Sequence, residues 1–126
     1  MDEPTPLHSV CELKSFRRAA KDVGMTEDEI TQLVSMLAQN PIAGDVIKGT
    51  GGCRKVRVQG RGKGKSGGYR TITFFSGPNL PLFLLTVFSK GECENLSQSE
   101  CNCLAKLTTQ IVEAYAEKIV KVSTRA

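Results

Sequence analysis

Leu13, Phe16, Ala20 and Val23 recur at helical spacing and stop at Gly24. Ser9-Val10-Cys11-Glu12 just before them has the form of a capping box, so a short helix is expected to open there. Thr26-Glu27-Asp28-Glu29 repeats the capping signal, and Ile30, Leu33, Val34, Leu37 and Ala38 follow as one apolar stripe that ends at Asn40-Pro41. Two amphipathic helices joined by a tight connection make a hairpin whose apolar side needs a partner. Residues 1–8, with Pro4 and Pro6, read as a loose arm.

The period then changes. Between Cys53 and Val58, Val56 and Val58 face one way and Lys55 and Arg57 the other, which predicts a strand. Gln59 to Gly68 is a Gly/Lys/Arg loop with almost nothing to bury. Tyr69 to Phe75 reads as a second strand, Ser76 to Pro81 as a turn, and Leu82 to Phe88 as a third strand, apolar on both faces and so central or covered on both sides. Short loops between the strands favour an antiparallel meander. Ser97-Gln98-Ser99-Glu100 caps a last helix with Leu104, Leu107, Ile111 and Tyr115 on one face. The expected order is α-α-β-β-β-α. That is an α+β fold, a small antiparallel sheet packed against two N-terminal helices and a C-terminal helix. A single domain spans 1–126, with 1–8 and about 120–126 loose.

Charge changes the picture more than composition does. The 126 residues carry 17 Lys+Arg against 13 Asp+Glu, a formal +4. No acid lies between Asp45 and Glu92, an interval holding nine cations: Lys48, Arg54, Lys55, Arg57, Arg61, Lys63, Lys65, Arg70 and Lys90. The rest of the chain is therefore 8 − 13 = −5. A cationic middle in an acidic frame points to a polyanionic partner, nucleic acid first. The longest apolar run, Leu80 to Phe88, is far short of the ~20 residues of a membrane span. The acidic N-terminus lacks a signal-peptide core, so a soluble cytoplasmic protein without membrane contact is expected. Five cysteines, an odd number, favour reduced thiols. Cys93, Cys101 and Cys103 match no zinc spacing, and no metal site or cofactor is expected.

The tempting motifs fail on spacing or context. Gly60 to Ser66 resembles a phosphate-binding loop, but the first glycine should fall at position 59, which is Gln, and a strand rather than a helix follows. Gly62, Gly64 and Gly67 fit a dinucleotide fingerprint without its strand-to-helix unit. A Cys-His or Ser-His arrangement would have to use the single histidine, His8, in the loose arm. What survives is cation density with geometry. Lys55 and Arg57 share a strand face, Arg70 opens the next strand, and Lys90 follows the third. Converging on one face, such cations could hold a phosphodiester and stabilise charge on its non-bridging oxygens. RNA carries its own nucleophile, the 2′-hydroxyl, so the site need only position, deprotonate and stabilise. The same residues also suit a non-catalytic RNA- or ribosome-binding protein.

Several segments resemble the HigB-like branch of the RelE toxin superfamily. They are Asn40-Pro41, Gly44-Asp45-Val46-Ile47, Gly49-Thr50-Gly51-Gly52, Arg54-Lys55-Val56-Arg57, Gly62 to Arg70 and Leu84 to Lys90. The resemblance covers roughly residues 30–110 and implies a toxin of a type II toxin–antitoxin pair. Such a toxin enters the ribosomal A site and cuts messenger RNA without a metal. Its antitoxin in this branch usually carries a helix-turn-helix domain, as in HigA-like proteins. Residue by residue, the catalytic cations of the family fall on Lys55, Arg57, Arg70 and Lys90. The implied RNA and ribosome contacts are Arg54, Arg61, Lys63 and Lys65 around the extended loop. Gly91 stands where some relatives place an arginine, and no counterpart of a late base-stacking tyrosine is evident, because Tyr115 sits in a helical apolar stripe.

Overall fold

The structure, a computed structural model, describes residues 7–59, 68–89 and 96–125, with side chains of the last helix as far as Tyr115. The elements are β1 (Val10–Glu12), α1 (Lys14–Val23), α2 (Glu27–Gln39), β2 (Asp45–Val46), β3 (Cys53–Val58), β4 (Tyr69–Phe74), β5 (Leu82–Ser89) and α3 (Gln98–Arg125). They form one five-stranded sheet in the order β1-β5-β4-β3-β2. The expected α+β layers are present, and β3, β4 and β5 form the expected antiparallel meander.

Two strands extend the meander beyond what the residue pattern suggested. Ser9 to Glu12 does not cap a helix. Val10, Cys11 and Glu12 pair in parallel with Leu82, Phe83 and Leu84, and the Leu82 amide donates to the Ser9 carbonyl at 2.9 Å. The reason is long-range: β5 is buried on both faces, and β1 fills its otherwise open edge. Helix α1 starts later, at Lys14, with Leu13 as an N-cap that has no side-chain hydrogen bond. At the opposite edge, β2 adds two residues beside Lys55 and Arg54.

The other helix signals act locally and hold. Thr26 Oγ1 accepts from the Glu29 amide at 3.1 Å while the Glu29 carboxylate accepts from the Thr26 amide at 2.8 Å. Ser97 and Glu100 form the same reciprocal pair at the start of α3. Gly24 ends α1 at φ 79°.

Helices cover the sheet from both sides. Phe16, Ala20, Ile30, Leu33 and Leu37 of the α1–α2 hairpin pack on Val56, Tyr69, Leu82, Leu84 and Val87. On the reverse side, Leu104, Leu107, Ile111, Val112 and Tyr115 of α3 pack on Cys53, Ile72, Phe74, Phe83 and Leu85. The turn before β3 pins α3 in place: a Cβ on Gly51, at φ 78°, would stand 2.5 Å from Thr108 Oγ1. Thr108 in turn reaches the Thr50 carbonyl at 3.4 Å. Gly44 is equally constrained, since a Cβ there would lie 2.6 Å from the Lys55 carbonyl oxygen.

His8 is not loose. Its amide donates to the Ala38 carbonyl at 2.8 Å, its Nε2 lies 2.7 Å from the Leu80 carbonyl oxygen, and its ring meets Phe75 edge-on at 5.0 Å. Among the described residues no helix is long and apolar enough to cross a membrane.

Candidate functional site

Strand register places the cations. Cβ atoms alternate across a strand, so the β3 residues on the α3 side are Cys53, Lys55 and Arg57, facing Phe74, Ile72 and Arg70 of β4 in turn. On β5 the corresponding partners are Phe83, Thr86 and Phe88, with a bulge between that accommodates Leu85. Three rows result on one face of the sheet: Cys53–Phe74–Phe83, then Lys55–Ile72–Thr86, then Arg57–Arg70–Phe88. Helix α3 packs on the first row, and Tyr115 meets Phe83 edge-on at 5.4 Å. The last row lies at the end of the sheet where β3 runs out into the basic loop.

Arg57 and Arg70 are direct cross-strand neighbours. Directly opposed side chains have Cβ atoms roughly 5 Å apart, and like charges so placed repel. Arg57 is exposed and Arg70 half-buried, and neither has a carboxylate or other hydrogen-bond partner among the described residues. Lys55, two residues back on the same face, is diagonal to Arg70. Two forked guanidinium groups and one ammonium can bind an oxyanion with more than one free oxygen; Asp45 of β2 stands directly opposite Lys55 on its other side. Phe88, half-buried, borders Arg70 in the same row and gives the site an apolar wall.

Tyr69 and Glu29 orient this end of the sheet, and the residue pattern marked Glu29 only as a cap. Tyr69 points to the hairpin side, where its O–H donates to the Glu29 carboxylate at 3.2 Å. Burial, and then the adjacent Glu29 charge, push the Tyr69 phenol above its ordinary range, so it stays a donor. The bond ties the start of β4 to the first turn of α2. It thereby fixes the alternation that turns Arg70 to the other face. A glutamate at the third helical position beside the stripe begun by Ile30 is the sequence signal that marks it.

The remaining cations sort by position. Arg54 stands on the hairpin side with Val56, and its Nη1 donates to the Gly44 carbonyl at 3.3 Å, so the sheet does not bring it to Lys55, Arg57 and Arg70. Lys90, Arg61, Lys63 and Lys65 lie outside the described residues; Ser89, just before Lys90, pairs with Tyr69 at the same end of the sheet. A cavity of about 260 Å³ lies between α2 and the end of β3, lined by Glu29, Gln32, Leu33, Met36, Arg57, Val58 and Gln59. Its position follows from β2, which pairs with β3 only as far as Lys55.

Residues 9–125 match the model of the family described as the RelE toxin of the RelE/RelB toxin–antitoxin system. The match spans every element from β1 to α3. RelE toxins are typically ribosome-dependent mRNA endonucleases, and the RelE/RelB pairing implies a RelB-type cognate antitoxin. A meander with one cationic end, held between a helical hairpin and a C-terminal helix, thus belongs to a member of the RelE toxin family.

Proposed function

We propose that this chain is an active, ribosome-dependent mRNA endonuclease of the HigB-like branch, acting in the bacterial cytoplasm and neutralised by a helix-turn-helix antitoxin. The observation that carries it is the directly opposed Arg57–Arg70 pair, without a carboxylate partner among the described residues, where β3 runs out into the basic loop. A fold has no structural use for such a pair, whereas a phosphodiester does. Arg57 and Arg70 grip the non-bridging oxygens of the scissile phosphate. The 2′-hydroxyl of the preceding nucleotide attacks phosphorus as its proton passes to a base, and the 5′-oxygen leaves as it gains a proton. The products are a 2′,3′-cyclic phosphate and a 5′-hydroxyl. Lys55 and Lys90 are the candidates for moving those protons. Arg61, Lys63 and Lys65 supply backbone contacts to ribosomal RNA.

Expression without the antitoxin, followed by mapping of transcript ends on translated and untranslated copies of one message, tests this. Cuts confined to the translated copy are expected. Arg70→Ala should reduce cleavage by about 10²–10³-fold, the range for losing one preorganised charge-stabilising group, while ribosome affinity changes only severalfold. Cuts that ignore translation, or healthy growth with intact message, overturn the function. If the protein binds ribosomes without cutting and Arg70→Ala lowers only that affinity, the protein is a binder rather than a cutter.

A further inference from the structure

We propose that α1 carries a second RNA-backbone contact, made by Lys14, Arg18 and Lys21, on the side of the sheet opposite the arginine pair; it rests on the ribosome-directed function for its biological partner. All three side chains are exposed, and none has a hydrogen bond or ion pair among the described residues. Their i, i+4, i+7 spacing at about 100° per residue places them within about 60° of one another, diametrically opposite Phe16 and Ala20. They form a straight cationic ridge about 10 Å long, pointing away from the hydrophobic core.

The surroundings keep this ridge open. Arg17, the neighbouring cation, is spent on Glu12 and Glu27, which it meets at 2.5 and 2.8 Å. Asp22, the one acid in α1, stands one turn beyond Arg18 on the flank of the ridge and makes no ion pair with it among the described residues. Four of the 17 − 9 = 8 cations outside the acid-free interval fall in these ten residues, although the chain outside that interval is net acidic.

Helix electrostatics oppose the first of the three cations, Lys14, and favour the last, Lys21, in the final turn. Helix N-termini favour acids and side-chain caps. α2 has Glu27, Asp28 and Glu29 in its first turn with a capping box, and α3 has Glu100 with another. α1 has neither: its first turn holds no acid, its N-cap makes no side-chain bond, and Lys14 stands at the positive end of the dipole. A cation kept where the helix disfavours it, continued by two more along one line, suits a row of phosphates. A domain with cations on both outer layers can be held between two RNA segments, with the scissile message on one side only.

The triple variant K14Q/R18Q/K21Q keeps a polar side chain and helix preference while removing the charge. Its binding to a single-stranded RNA 20-mer and to ribosomes is measured across a salt series beside the wild type, with thermal melting to confirm the fold. The slope of log K against log salt should become shallower by about 2, from three contacts at about 0.7 each, and each single substitution should contribute about 0.7. Cut positions on a translated message should stay the same. Unchanged slopes and affinities on both RNAs overturn the ridge. If the wild type does not cut translated message yet the slope still changes on the 20-mer, the endonuclease function falls and the ridge stands.

Discussion

The two faces of this sheet are built on opposite terms. Under the α1–α2 hairpin, Phe16, Leu33 and Leu37 seal against Leu82 and Leu84, all at most 2% exposed. Under α3 the face changes along its length, from the buried row Cys53–Phe74–Phe83 to the Arg57–Arg70–Phe88 row at the open end. The first face maximises burial and has little chemistry to offer. The second gives up burial over its last few residues and gains a charged surface on a rigid strand pair. Stability and reactivity are therefore separable by face, and substitutions on the two sides should affect different measurements.

The largest expected effect lies on the closed face. Phe16 is completely buried among hairpin and sheet residues, so Phe16→Ala should cost about 3–5 kcal/mol, read as a lower denaturation midpoint. The Arg70→Ala change should leave that midpoint nearly untouched while it removes cleavage. Equal destabilisation by both would erase the distinction between the faces.

That distinction was partly legible in the residue pattern. The meander, the α2 and α3 capping boxes and the sharing of one face by Lys55 and Arg57 all depend on local periods of 2 or 3.6, and they hold. β1 was not legible, because Ser9 to Glu12 satisfies a capping pattern while its actual role is set by β5, some seventy residues away. His8 was misread for the same reason: its partners, Ala38, Phe75 and Leu80, are distant in sequence. The direct opposition of Arg57 and Arg70 needed the register, which the long basic loop between the strands does not encode. Tyr69 illustrates a further limit, since it adjoins Arg70 in one motif yet serves the other face.

The closed face has one internal flaw. Thr71 and Thr73 point into it from β4, both 0% exposed, and their Oγ1 atoms have no hydrogen-bond partner among the described residues. A buried hydroxyl without a partner costs about 1–3 kcal/mol, so Thr71→Val and Thr73→Val should each stabilise by about 1 kcal/mol. A loss of stability would show that both hydroxyls are bonded in solution and that this face holds a polar network.

Cys53 tests how dry the apolar end of the other face is. Burial pushes its thiol up to about 11, the neighbouring Cys101 adds to this, and the Thr50 hydrogen bond opposes it. An acid whose pKa is higher in the folded state than the ordinary 9 ionises first in the unfolded chain. Stability is thus fully present below about pH 9 and declines as pH rises toward 11. Chemical denaturation at stepped pH should show that decline in the wild type and a weaker one in Cys53→Ala. Equal slopes would mean that water reaches the first row.

The smallest effect concerns the arginine pair itself. Arg57 and Arg70 face each other across β3 and β4 without a carboxylate between them, so each raises the free energy of the other in the folded state. Cross-strand charge pairs are worth about 0.2–1 kcal/mol, and Arg57 is exposed enough for salt to screen part of that. Arg57→Gln and Arg70→Gln should each stabilise by about 0.5 kcal/mol at low salt, and the double variant should gain less than the sum, because the first neutralisation already removes the repulsion. The gain should fade as salt is raised toward 1 M, where the screening length is about 3 Å. Stabilisation that appears with loss of cleavage, is non-additive and is salt-sensitive would identify the pair as strain kept for function. Additive, salt-independent changes would instead mean that each arginine acts alone, and the open end of the sheet would then be ordinary solvated surface.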